Sequence, residues 1–157
     1  MKIISYFFSS IFALAFFLSL IIFHPLQWVG LKIGYQSHKN VVDVLNWILT
    51  KSLLIIGNTV SFKITHPIPK NTTIIFVANH QGLFDIPPII WYLRKYHSKF
   101  VSKIELGKGI PSISFNLKYG GAALINRKDP KQALTELKEF GQRIHDNNWS
   151  ATIFPDV

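Results

Sequence analysis

A chain of 157 residues is long enough for one domain with a modest core. It has no cysteine, which excludes disulfides, thiolate catalysis and cysteine-ligated zinc. The formal net charge of +9 suits an anionic membrane face or phosphorylated ligands; Lys and Arg are spread over the part after residue 30 with no dense block and no basic–aromatic interleaving, which argues against a nucleic-acid partner.

From the N-terminus, Ile3 to Phe23 is almost wholly apolar or small. About twenty residues of helix span roughly 30 Å, the thickness of a bilayer core. The run is longer than the apolar centre of a secretory signal and is followed by His24-Pro25-Leu26-Gln27-Trp28, with Trp28 suited to the membrane interface. Residues 1–30 therefore read as an uncleaved transmembrane anchor. The positive-inside tendency places the Lys-rich remainder on the cytoplasmic side. From Val41 to Ile56, the apolar residues Val41, Val42, Val44, Leu45, Ile48, Leu49, Leu53 and Leu54 recur at helical spacing. Residues 31–57 read as an amphipathic helix, either packed on the rest of the protein or lying in the membrane interface.

The rhythm changes after Gly57-Asn58. Val60 to Ile64 alternates as a strand does, and His66 to Asn71 is a turn. Thr73 to Ala78 reads as a buried, central strand. A helix begins near Pro87-Pro88 and continues to about Tyr96, with Asp85 suited to cap it; Phe100-Val101 is a short strand. Pro111 opens a short helix that ends at Tyr119, and Ala122 to Ile125 is a strand. Asp129-Pro130-Lys131-Gln132 is a helix start, with a cap, Pro at the first position and Gln three residues on. Ala133, Leu134, Leu137, Phe140 and Ile144 draw one apolar stripe along that helix, and Trp149 to Phe154 leads into a last strand. The alternation predicts an α/β fold over 58–157, with a mostly parallel sheet and flanking helices behind the N-terminal transmembrane helix. Ligands on such sheets sit beyond the carboxyl ends of strands. His80, Asn126-Arg127 and Phe154-Pro155 fall there.

His80 follows the strand at 73–78, and Asp85 stands five residues further on. A carboxylate that binds one imidazole nitrogen fixes the tautomer and leaves the other nitrogen free to take a proton. Transfer of an acyl or phosphoryl group to an alcohol needs such a base, because a hydroxyl is a weak nucleophile while it keeps its proton. Taken alone, the pair better fits a histidine bonded to nearby backbone and an aspartate capping the next helix than a catalytic pair.

Asn79-His80-Gln81-Gly82-Leu83-Phe84-Asp85 resembles the first motif of the membrane-bound glycerolipid acyltransferases of the lysophosphatidic acid acyltransferase type. Gly121-Ala122-Ala123-Leu124-Ile125-Asn126-Arg127 resembles their second, usually Gly-x-x-Phe-Ile-x-Arg. Ile153-Phe154-Pro155-Asp156 resembles the opening of their third, usually Phe-Pro-Glu-Gly-Thr. Val101 to Leu106, followed by Pro111, resembles the segment between the first two. The resemblance runs from about Ser61 to the C-terminus. It implies transfer of a fatty acyl group from acyl-CoA or acyl carrier protein to the hydroxyl of lysophosphatidic acid, at a membrane. His80 would be the general base and Asp85 its orienting partner. Arg127 would hold the substrate phosphate with Lys103 as a second candidate, Gly121 would allow close backbone approach, and Phe154 and Pro155 would border the substrate. The thioester is already activated, so neither a metal nor an organic cofactor is expected.

Two departures stand out. Asp156 occupies the usual Glu position and Val157 the usual Gly position, and the motif's continuation is missing. A C-terminally truncated relative is therefore expected, with an incomplete sheet and an exposed edge at the 151–154 strand. The alternative reading of function is a catalytically inactive relative that binds lipid or a partner at the membrane, or a gene fragment.

Overall fold

The structure, a computed structural model, describes residues 2–69, 72–79 and 82–155. Its contacts divide the chain into a helical unit, Met1–Lys63 with Leu83–Tyr92, and a sheet unit, Ile64–Gly82 with Leu93–Val157.

The helical unit is built on α1 (Lys2–Ile33) and α2 (Tyr35–Ser52), which form an antiparallel hairpin hinged at Gly34. Residues Ile3–Ile33 make a helix long and apolar enough to cross a membrane, with a mean hydropathy of 2.3 over its most apolar stretch. The helix does not stop at Pro25. Proline removes one backbone donor, a loss that packing against a neighbouring helix can absorb. One stripe of α1 is buried through Phe12, Phe16, Leu20 and Gln27, while Ile4, Phe7, Leu14, Phe17, Ile21 and Trp28 remain exposed on its other faces.

The apolar face of α2 buries Val42, Leu45 and Leu49, so this helix is packed on protein, with α1 and α3 (Ile86–Tyr92) as neighbours. Near the hinge the two helices approach closely: a Cβ on Gly30 would lie 3.1 Å from the His38 Cα. The end of α2 tightens into a 3-10 turn, Leu53–Ile56, closed by Gly57 in the left-handed conformation.

The expected strand at 60–64 does not form; this segment is irregular and exposed. Its alternation serves a different contact, the Phe62 ring stacked on Tyr92 at 4.8 Å. Alternate apolar residues suit a strand only where a partner strand takes up the backbone groups.

The sheet unit holds four parallel strands: β1 (Ile75–Val77), β2 (Ser98–Lys103), β3 (Ala123–Ile125) and β4 (Ser150–Ile153), in the order β1-β4-β2-β3. The mostly parallel sheet with flanking helices is as the alternation predicts. Two details differ. The 73–78 run supplies a short edge strand, and Ile75 and Val77 are 64% exposed. The last strand, expected to lack neighbours, lies between β1 and β2, and the open edges belong to β1 and β3. Its inner position fits its sequence: Ser150, Ala151 and Thr152 are small and buried. The helix α4 (Ile113–Tyr119) precedes β3, and α5 (Pro130–Asp146) follows it.

Helix α5 lies on one face of the sheet, where Phe140 and Ile144 form a core with Ala123, Ala151, Val101 and Trp149. Only this end of its apolar stripe is covered; Leu134 and Leu137 are exposed. The opposite face carries aromatic contacts, Phe76 with Tyr96 and Phe100 with Phe154, at 5.6 and 5.9 Å between ring centroids. Helix α5 ends in a turn where Trp149 N–H donates to the Ile144 carbonyl and Asn148 takes a left-handed conformation.

In the hairpin, burial raises the pKa of Tyr35, and the nearby Asp43 carboxylate raises it further. A raised folded-state pKa means the hairpin favours the neutral phenol. The resulting stability is complete below the unfolded value of about 10 and is lost as pH climbs through the folded value. Near-ultraviolet titration of tyrosinate should show a component above the usual range that disappears in Tyr35→Phe, and that variant should resist alkaline unfolding to a higher pH.

Candidate functional site at the carboxyl edge of the sheet

Because all four strands run in the same direction, their carboxyl ends share one edge of the sheet. Thr152 is in register with both Phe76 and Phe100, and Lys103 with Ile125. Along that edge, β1 leads to Asn79, β4 to Phe154-Pro155, β2 ends at Lys103, and β3 leads to Asn126-Arg127. The Ala78 amide donates to the Ile153 carbonyl at 3.2 Å, which extends the β1–β4 pairing by one residue toward this edge. His80 and Gln81 lie outside the described residues, as do Asp156 and Val157.

The turn after β3 has the most fully specified geometry. The Asp129 amide donates to the Asn126 carbonyl at 3.0 Å, and the Lys128 amide donates to Asn126 Oδ1 at 3.0 Å. Asn126 thus closes the turn with both its backbone and its side chain. Asp129 then caps α5, with Oδ1 accepting from the amides of Lys131 and Gln132, each at 3.1 Å.

Arg127 occupies the second position of this turn, exposed, and among the described residues its guanidinium has neither a hydrogen-bond nor an ion-pair partner. Lys103 is also exposed, one strand spacing of about 4.8 Å from Ile125, which precedes Arg127 by two residues. Lys128 and Lys131 are exposed beside them, so this corner carries four cations. Its acids are Asp129, which is engaged as a cap, and Glu105 just beyond β2. Such a corner favours a phosphate, which a guanidinium fork can bind through two oxygens.

Gly121 lies elsewhere. It precedes β3 and so sits at the amino edge of the sheet, the opposite end of the strand from Arg127. Its φ is +95°, and an added Cβ would lie 2.7 Å from the Trp149 ring. Gly121 therefore makes room for Trp149, over whose ring Lys99 Nζ stands at 4.4 Å. Phe154 is half-buried against Phe100, and Pro155 is exposed.

Asp85 belongs to the helical unit. It ends the 3-10 turn Leu83–Asp85 and runs directly into α3. The residue before it, Phe84, sets its ring edge-on to Phe12 at 5.2 Å and to Phe16 at 5.6 Å, both on α1. The apolar helix thus fixes the turn that carries the motif carboxylate. The sequence places Phe84 inside the motif but gives no sign of its partners, which lie about seventy residues earlier.

A family profile described as Acyltransferase matches residues 59–156, more than half of the chain. Neither the curated proteins nor the solved structures include a match to it.

Phe84→Ala would remove both ring contacts and leave every titratable group in place. If Asp85 acts in the transfer, a displacement of about 1 Å costs on the order of a hundredfold in rate, so acyl transfer by this variant should fall by about tenfold to a hundredfold at unchanged expression. Full activity in Phe84→Ala would show that α1 does not position Asp85.

Proposed function

The chain belongs to the acyltransferase family, and from that premise we propose that it moves a fatty acyl group from acyl-CoA or acyl carrier protein to the free hydroxyl of lysophosphatidic acid, giving phosphatidic acid at a membrane surface. The observation that carries this reading is the basic corner formed by Lys103 and Arg127 at the same carboxyl edge of the sheet to which β1 leads Asn79. A phosphate held at that corner would identify the acceptor as a phosphorylated glycerolipid.

In the proposed reaction, His80 takes the proton from the acceptor hydroxyl as its oxygen attacks the thioester carbon. The carbonyl oxygen gains charge in the tetrahedral intermediate. The carbon–sulfur bond then breaks, and the imidazolium returns the proton to the departing thiolate. Asp85 holds the imidazole tautomer and balances its transient positive charge. Arg127, assisted by Lys103, binds the phosphate and so aims the hydroxyl at the base. The thioester supplies the activated acyl group, and the proposal includes neither a metal nor an organic cofactor. The long apolar helix α1 would keep the protein where its acceptor and product reside, with the sheet unit on the cytoplasmic side.

Membranes carrying the chain should transfer labelled acyl groups from acyl-CoA to lysophosphatidic acid. Loss of a general base typically costs about a hundredfold to ten-thousandfold, and His80→Ala should fall in that range with unchanged expression. Equal activity in parent and variant would remove His80 from the mechanism; an inactive parent would favour a relative that binds lipid without turnover.

A further inference from the structure

We propose that Gln132 is a positioning residue for Arg127, acting as a one-residue substitute for the strand that β3 lacks on its outer side. Among the described residues β3 is an edge strand, whose strand partner is β2. On the free side of an edge strand, the carbonyl of one residue and the amide two residues later point the same way, as a neighbouring strand would require. Gln132 meets that pair. Its Oε1 accepts from the Asn126 amide at 2.8 Å, and its Nε2 donates to the Leu124 carbonyl at 3.0 Å.

A Gln three residues after a helix cap ordinarily turns back to the cap's own amide. Here the Asp129 amide is already taken by the Asn126 carbonyl, so the Gln132 side chain passes the turn and reaches the strand. The Asn126–Asp129 turn is consequently held from three directions: by its own backbone bond, by Asp129 capping α5, and by Gln132 tying α5 to β3. Arg127 follows directly on the clamped Asn126 amide, so its backbone is ordered before any ligand arrives. Preorganisation of this kind lowers the ordering cost of binding. The role of Gln132 rests on the reading of Arg127 as the phosphate-binding residue.

The test is a double-mutant cycle on the full-length protein in detergent, with equilibrium binding of micelles containing lysophosphatidic acid or monoacylglycerol as the readout. Gln132→Leu keeps the helix propensity and removes both bonds, whereas Gln132→Glu keeps the acceptor for Asn126 and loses the donor. Affinity for the phosphate-bearing micelles should fall about tenfold in Gln132→Leu and less in Gln132→Glu, with monoacylglycerol binding unchanged. Adding Gln132→Leu to Arg127→Ala should cost nothing further, because the clamp acts only through the arginine. Additive losses, or equal losses for the two lipids, would overturn the proposal, as would a parent with no preference for phosphate. Acyl transfer to lysophosphatidic acid, measured on the same preparations, shows separately whether the reading of the reaction stands.

Discussion

Everything assigned to the sheet unit depends on the parallel direction of its four strands. Parallel pairing requires each strand to return through a crossover, and the crossovers here consist of helices and turns at 83–96, 104–119 and 126–149. One consequence is that the segments leaving β1, β2, β3 and β4 all emerge at one edge. The three motifs are far apart in sequence, yet their strands end along one edge: the first and third are neighbours there, and the second lies beyond β2. A second consequence is that the amino edge is chemically separate. Gly121, although part of the second motif, lies at that other edge and serves the packing of Trp149.

The helical unit answers a different constraint. A helix as apolar as α1 must cover part of its surface with protein or lipid. The covered part faces α2 and the Phe84 ring, and the rest is exposed. The first motif is therefore divided, with Asn79 leaving a strand of the sheet unit and Asp85 ending a turn held on α1. The long apolar helix α1 and the turn that carries Asp85 thus belong to one packed unit.

What could be read from the sequence was mostly local. Asp129 and Pro130 announce the start of α5 because a cap and a proline act within one turn, and Asp129 caps as expected. The α/β alternation was likewise readable, since each element carries its own period. Strand order was not. It depends on pairing between residues as distant as Ile75 and Ala151, and no local signal says that β4 enters between β1 and β2. The segment 60–64 misled for a related reason: alternation records which side chains share a face and says nothing about a partner for the backbone. Gln132 is the instructive case at the site. Its position three residues after the cap was plain, but its target depended on an edge of β3 that only the assembled sheet reveals.

The central claim is that the carboxyl edge of this sheet binds the phosphate of the acyl acceptor. Steady-state acyl transfer by the parent and by Arg127→Ala, each offered lysophosphatidic acid and monoacylglycerol, measures it directly. The account predicts that Arg127→Ala lowers kcat/KM for lysophosphatidic acid by at least tenfold, the loss of about 1.4 kcal/mol or more of a charge-assisted interaction, and leaves monoacylglycerol almost unaffected. An equal loss for both acceptors, or none for either, would contradict it.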